Sequence, residues 1–268
     1  MRHGISSTIP YFLLVFLLSV PFVAVGSLTG AQILPGVPLA GLAFVCPAVA
    51  GIVLARRAAG GGGVRAFLGR AFDAARVRDK AWFLPVALLY PAVVALSYVL
   101  LRLTGVPVPD PDVSLVPAAA LAVALFAGAL CEELGWSGHA TEPLLARWGV
   151  PGAGLAVGLV WAVWHWVPLL QVGRTVSWIA WWSLGTVAAR VIMVWLFAGT
   201  GGSVFAMALF HTTLNLAWQL FPVNGSHFPV ALVAVLMAGT AAAVVAGDAA
   251  RRRLSRVPPA PSPPCRPP

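Results

Sequence analysis

Once the polar loops are set aside, few side chains that could do chemistry remain within the apolar runs of this sequence. Glu132 and Glu133 sit side by side near the end of the apolar run ALFAGALCEELGWSGHA. His165 lies within GLVWAVWHWVPLL, His211 and Asn215 lie within FAMALFHTTLNLAW, and Arg190 lies within a further apolar run. Charged groups deep in a bilayer cost at least ~2.5–3.5 kcal/mol each on insertion scales, so such residues are functional candidates by default. On a helix, adjacent carboxylates point about 100° apart, so one can face a cavity while the other orients a neighbour. His211 and Asn215 are four apart and share a helix face, and Trp161 and His165 have the same spacing. Three runs thus offer a carboxylate, an imidazole, and an imidazole with an amide. Together these are the parts of a hydrolytic site. A carboxylate in apolar surroundings takes a proton from water, an imidazole shares it, and a His/Asn pair donates to an oxyanion.

The elements that must position these groups are read from composition. Of 268 residues, 60% are hydrophobic and 9% are charged, far below the charged share of about 25% in soluble domains. Eight apolar runs lie near 9–29, 37–55, 82–104, 116–136, 151–170, 178–198, 203–221 and 228–247. Each is near the ~20 residues of a spanning helix. The sequence therefore predicts an all-α polytopic transmembrane bundle of about eight spans. The first run, Ile9 to Leu28, reads as a retained span rather than a signal peptide. All of the 17 basic residues except Arg102, Arg174 and Arg190 fall on one side of the eight-span arrangement. Both termini are accordingly expected in the cytoplasm. Residues 1–250 form the expected membrane domain, with a motif-bearing core at about 121–220, and 251–268 a basic, Pro-rich, disordered tail. Within the basic loop, Gly60 to Gly63 read as a flexible link. Val64 to Lys80 read as an amphipathic surface helix with Phe67, Leu68 and Phe72 on one face. The net charge of +9 does not imply nucleic acid, because the charges cluster between apolar runs without an aromatic-studded basic face.

The motifs Glu132-Glu133-Leu-Gly-Trp-Ser-Gly-His, Trp161-Ala-Val-Trp-His165 and His211-Thr-Thr-Leu-Asn215 resemble, in order, those of the type II CAAX prenyl protease and bacteriocin-processing family. That family consists of intramembrane glutamate-dependent endopeptidases. The resemblance implies that Glu132 activates water with His165 assisting, that His211 and Asn215 form the oxyanion hole, and that Glu133 is a supporting carboxylate. It implies a peptide or protein substrate, with membrane lipid as the surrounding partner, and calls for no cofactor. The family places Arg where this chain has Ser137, and Arg190 is the basic residue that would have to take its place.

Each residue also has a plainer reading. His165 can be an interior or interfacial residue among tryptophans, His211 and Asn215 can join helices by hydrogen bonds, and the glutamates can mark a helix end. The tryptophans read mostly as interfacial anchors or lipid-facing bulk, and His139 and Glu142 as a solvated loop. Cys131 lacks the electropositive setting of a catalytic thiol. A proton-coupled transporter, a non-catalytic scaffold or immunity protein, and a zinc hydrolase using the His and Glu set are the competing functions. By helical rise, Glu132 would lie about 6 Å inside the cytoplasmic edge of the bilayer core, His211 about 12 Å and His165 about 20 Å. The expected location is the plasma membrane, with the site open to the cytoplasm.

Overall fold

The computed structural model describes residues 8–34 and 37–254. The described residues form eight helices: α1 (Thr8–Thr29), α2 (Cys46–Gly69), α3 (Phe83–Leu103), α4 (Leu115–Gly135), α5 (Glu142–Gln171), α6 (Val176–Gly199), α7 (Val204–Gln219) and α8 (Val230–Leu254). Between α1 and α2 lie a small antiparallel ribbon, β1 (Gln32–Leu34) with β2 (Val37–Pro38), and a 3-10 turn at Leu39–Val45. Further 3-10 turns at Arg70–Arg76 and Lys80–Trp82 connect α2 to α3. A π turn at Trp136–Thr141 carries α4 directly into α5. Among the described residues, six helical stretches are long and apolar enough to cross a membrane, and one of them, Leu115–Gln171, holds both α4 and α5. The chain is a multi-pass, all-helical membrane protein. At 16 residues, α7 is only about 24 Å long, shorter than a hydrocarbon core of about 30 Å. The tail beyond Leu254, together with Arg2 and His3, lies outside the described residues.

Lipid removes the hydrophobic drive between helices, so close packing and hydrogen bonds must hold them together. The α5–α6 contact shows how. Gly154 and Gly158 are four apart on α5, and a Cβ at either would overlap α6, at the backbone of Val191 and at Val187 and Cβ of Arg190 respectively. The missing side chains let the two helices approach until Arg190 lies against α5. On the other flank, α1 is tied to α5 by Trp164 Nε1 donating to Ser19 Oγ (2.8 Å) and Gln171 Nε2 donating to Ser27 Oγ (2.7 Å).

The basic loop is docked rather than laid on the surface. Helix α2 bends at Ala59–Gly60, where Gly60 takes φ +59°, and then runs on to Gly69. The expected single apolar face over Val64 to Lys80 is split. Phe67 is buried over Gly51, whereas Leu68 and Phe72 point outward, Phe72 being 83% exposed. The split follows from what comes next. Arg70 donates to the carbonyls of Gly138 in the π turn (2.8 Å) and Gly202 before α7 (2.6 Å). Asp73 accepts from Ser203 Oγ (2.9 Å), Val204 N (3.2 Å) and Phe205 N (3.1 Å). The first amides of a helix have no partner within it, so Asp73 caps α7 from a distant part of the chain.

Asp73→Ala should lower stability by about 1–2 kcal/mol, the range for loss of a helix cap. Thermal unfolding in detergent should show this as a lower Tm, with Asp112→Ala on an exposed loop unchanged.

Candidate active site

Side by side at the end of α4, the two glutamates part company. Glu133 turns into the bundle and is completely buried. Arg190 of α6 meets it with two parallel bonds, Nη1 to Oε2 at 2.8 Å and Nη2 to Oε1 at 2.9 Å. His211 Nδ1 lies 3.0 Å from Oε1, and Ser137 Oγ donates to Oε2 at 2.5 Å. Since a carboxylate only accepts, His211 carries its hydrogen on Nδ1. Arg190 thus makes the pairing that Ser137 cannot, and Ser137 adds a hydroxyl to the same carboxylate.

Glu132 takes the other direction and lines a cavity. Its Oε2 accepts from the indole N–H groups of Trp161 (2.9 Å) and Trp136 (3.3 Å), leaving Oε1 for a ligand in the cavity. Trp161 is the hub. Its ring stands edge-on to His165 (centroids 5.4 Å apart) and to His211 (5.1 Å), with the Arg190 guanidinium 4.2 Å above its face. His165 Nδ1 donates to the Trp161 carbonyl at 2.8 Å, so the neutral ring keeps its lone pair on Nε2.

The π turn explains the local geometry. One extra residue widens the helix, a device common at functional sites, and Thr141 Oγ1 bonds back to the Trp136 carbonyl at 2.8 Å. The widened turn buries Trp136, Ser137 and His139. His139, expected in a solvated loop, instead lies against Tyr11 with ring centroids 4.9 Å apart. Glu142 is exposed as expected, and approaches Arg70 at 3.5 Å.

One cavity of about 130 Å³ is lined by Glu132, Trp161, His165, His211 and Asn215. All the proposed catalytic side chains except Glu133 therefore border the same space. Its outer wall is aromatic: Trp178, Trp181, Trp182, Trp218 and Phe228. These tryptophans were expected mainly at interfaces or against lipid; here they form the wall of the site. The indole donors Trp136 and Trp161 had a visible signal, lying four residues after Glu132 and four before His165. Among the described residues, no group of three His, Cys, Asp or Glu side chains converges as a metal site.

From Glu132 the lining of the cavity runs toward the loop ends of three further helices. It reaches the start of α6 at Trp178, the end of α7 at Trp218 and the start of α8 at Val230. Those ends adjoin the loops 172–175 and 220–229, whereas the arginine-rich loop joins α2 to α3 at the other end of the bundle. Toward that basic end, the fully buried Trp136 packs edge-on against Tyr11 (5.7 Å) and Trp164 (5.8 Å). Arg70 bonds to the Gly138 carbonyl beyond them.

Part of this chain is similar to known proteins. Residues 114–217 match the family described as type II CAAX prenyl endopeptidase Rce1-like. This stretch contains all three motifs and Arg190. A curated protein of Methanococcus maripaludis, CAAX prenyl protease 2, is 27% identical over 109 residues, 37% of this chain. The match spans 40% of that relative's length. The similarity therefore lies in the half of the bundle that carries the site.

Arg190→Met should destabilise the protein by about 3–5 kcal/mol by leaving a buried carboxylate unpaired. Arg190→Met combined with Glu133→Leu should recover most of that loss, while Ser137→Ala should cost only about 1 kcal/mol. Thermal unfolding of the four proteins in one detergent checks the ranking.

Proposed function

We infer that this relative of the type II CAAX prenyl proteases is itself an intramembrane endopeptidase that hydrolyses peptide bonds with a water activated by Glu132. The observation that carries the reading is the convergence of Glu132, His165, His211 and Asn215, from α4, α5 and α7, on one cavity. A water at Glu132 Oε1 gives up a proton as its oxygen attacks the peptide carbonyl carbon. His165, with its Nε2 lone pair, assists in holding that water. The carbonyl oxygen becomes an oxyanion, to which Asn215 and His211 donate hydrogen bonds. The proton held by Glu132 passes to the departing amine as the C–N bond breaks, leaving a carboxylic acid and an amine.

Roles for the remaining groups follow from their partners. Glu133 is a supporting carboxylate that orients His211 and is itself held by Arg190. For His211 to donate through Nε2 while Nδ1–H faces Glu133, both ring nitrogens must carry hydrogen. Low surrounding polarity strengthens each of these interactions in the transition state. The scaffold reading rested on Ser137, and the two hydrogen bonds from Arg190 to Glu133 weaken that basis. The plasma membrane is the proposed location, and the substrate a peptide or protein whose scissile bond enters the cavity.

Purified protein should cleave members of a membrane-peptide library, and Glu132→Ala and His165→Ala should abolish that cleavage. Asn215→Ala should lower kcat by about 10²–10³, as expected for one lost oxyanion donor. A chelator should leave the wild-type rate unchanged. Chelator-sensitive cleavage would instead assign a metal enzyme, and undiminished cleavage by Glu132→Ala would reject the mechanism.

A further inference from the structure

A second cavity, of about 600 Å³, lies at the end of α3 and is lined by Arg102, His227 and the turn 105–109. Small-molecule sites commonly have volumes of ~300–1,000 Å³. Helix α3 ends in a Schellman turn. Gly105 takes φ +76°, its N–H bonds to the Arg102 carbonyl (3.2 Å), and the N–H of Val106 bonds to the Leu101 carbonyl (3.0 Å). The reversed chain brings back Val108, whose carbonyl accepts from Arg102 Nη1 at 3.1 Å. The same nitrogen donates to Tyr98 Oη (3.4 Å) and to Asp110 Oδ1 (3.0 Å). All three bonds of Arg102 use Nη1, so Nε–H and Nη2–H make none among the described residues. Those two parallel donors form the fork with which Arg grips a phosphate or carboxylate. His227 meets Ser226 Oγ through Nδ1 at 3.1 Å, which leaves Nε2. Asp110 likewise accepts twice on Oδ1, from Tyr98 (3.2 Å) and Arg102, and Oδ2 accepts nothing among the described residues. Ring contacts of Tyr98 with Phe221 (6.1 Å) and of Phe221 with Phe228 (5.6 Å) hold the His227 loop beside α3.

We propose that this second cavity binds the headgroup of a phosphatidylethanolamine molecule, with its phosphate on Arg102 and His227 and its ammonium on Asp110. Nothing in the site depends on the peptidase chemistry. The unused fork of Arg102 and Nε2 of His227 border one space, and basic pockets between spanning helices take lipid headgroups. Asp110 lies 3.0 Å from Arg102, with Asp112 two residues further on. A purely anionic headgroup would meet these acids as well as the guanidinium. A zwitterion suits both signs, because the acid that repels a phosphate attracts an ammonium. Asp110 Oδ2 also accepts an N–H, which ethanolamine carries and quaternary choline lacks. The stripe beside Arg102 favours a lipid over a soluble phosphate ester. Leu96, Val99 and Leu103 are exposed at spacings of three and four, on one face of α3, and acyl chains lie along them. At 21 residues, α3 is about 31 Å long. Its end is therefore one hydrocarbon core away from the basic loop, at the level of the headgroups.

Native mass spectrometry of the full chain tests the site, after incubation in detergent with dioleoyl phosphatidylethanolamine, phosphatidylcholine or phosphatidylglycerol. The wild type should retain phosphatidylethanolamine in preference to the other two. Arg102→Gln and His227→Ala should each lower that retention by about fivefold, the worth of one basic residue at a lipid surface. Since Arg102→Gln also loses the bond to Val108, His227→Ala, whose partner Ser226 is exposed, decides the matter if the first variant does not fold. Asp110→Asn should remove the preference over phosphatidylcholine and strengthen phosphatidylglycerol binding. Soluble phosphoethanolamine in excess should leave the retained lipid in place. Retention unchanged in the folded variants of Arg102 and His227 would overturn the site. Equal retention of the three lipids by the wild type, or an unaltered preference in Asp110→Asn, would overturn the headgroup assignment. Displacement of the lipid by soluble phosphoethanolamine would overturn the lipid assignment in favour of a free phosphate ester.

Discussion

The bidentate pair between Glu133 and Arg190 governs the centre of this molecule. Both side chains are completely buried, and removing each ion from water carries a penalty of several kcal/mol. Attraction offsets that penalty only when geometry is good and the remaining donors and acceptors are also satisfied. Glu133 accepts four bonds, two from Arg190, one from His211 and one from Ser137, while the buried Arg190 Nε has no hydrogen-bond partner among the described residues. Because these donors come from α6, α7 and the π turn, the carboxylate of α4 fixes three neighbours at a single point. Neither α4 nor α7 can rotate without breaking the cluster, so Glu132 and His211 are held where they face the same cavity.

The second constraint is aromatic. Indole donates but does not accept, so Trp136 and Trp161 can hold Glu132 without competing for its proton. Trp161 also touches both histidines and the guanidinium, which makes one ring the spacer between the groups. A tryptophan-rich wall keeps the cavity apolar, and this raises the strength of every charge-assisted contact inside it. Beneath, the Arg70–Arg76 turn ties the π turn to α7, so the loop between α2 and α3 belongs to the architecture of the site.

Much of this was legible in the sequence. Apolar runs near twenty residues long mark helices because the bilayer fixes their length. The pairs His211/Asn215 and Trp161/His165 share faces because four residues return nearly one helical turn. The opposite orientations of Glu132 and Glu133 follow from the same angle. Other features depend on contacts that no local pattern encodes. The target of Arg190 depends on the rotation of α6, set by the close approach at Gly154 and Gly158; that four-residue spacing was its only local sign. The inward turn of Phe67 depends on Gly51 leaving space for it, and the burial of His139 on a π turn that periodicity alone does not announce.

The Glu133–Arg190 contact also joins residues 57 positions apart, and His211 follows Glu133 by 78. At synthesis rates of about 5–20 residues per second, the carboxylate emerges roughly 3–11 s before its guanidinium. During insertion α4 therefore carries two uncompensated acids, tolerable only because they lie at its end, within reach of water. The bundle's central cluster must close after α6 has arrived, when α4 can draw Glu133 inward against its counter-ion. Biogenesis is thus ordered by electrostatics. A nascent chain lacking Arg190 would complete its bundle with Glu133 still unpaired, and would carry the stability cost of a buried lone carboxylate.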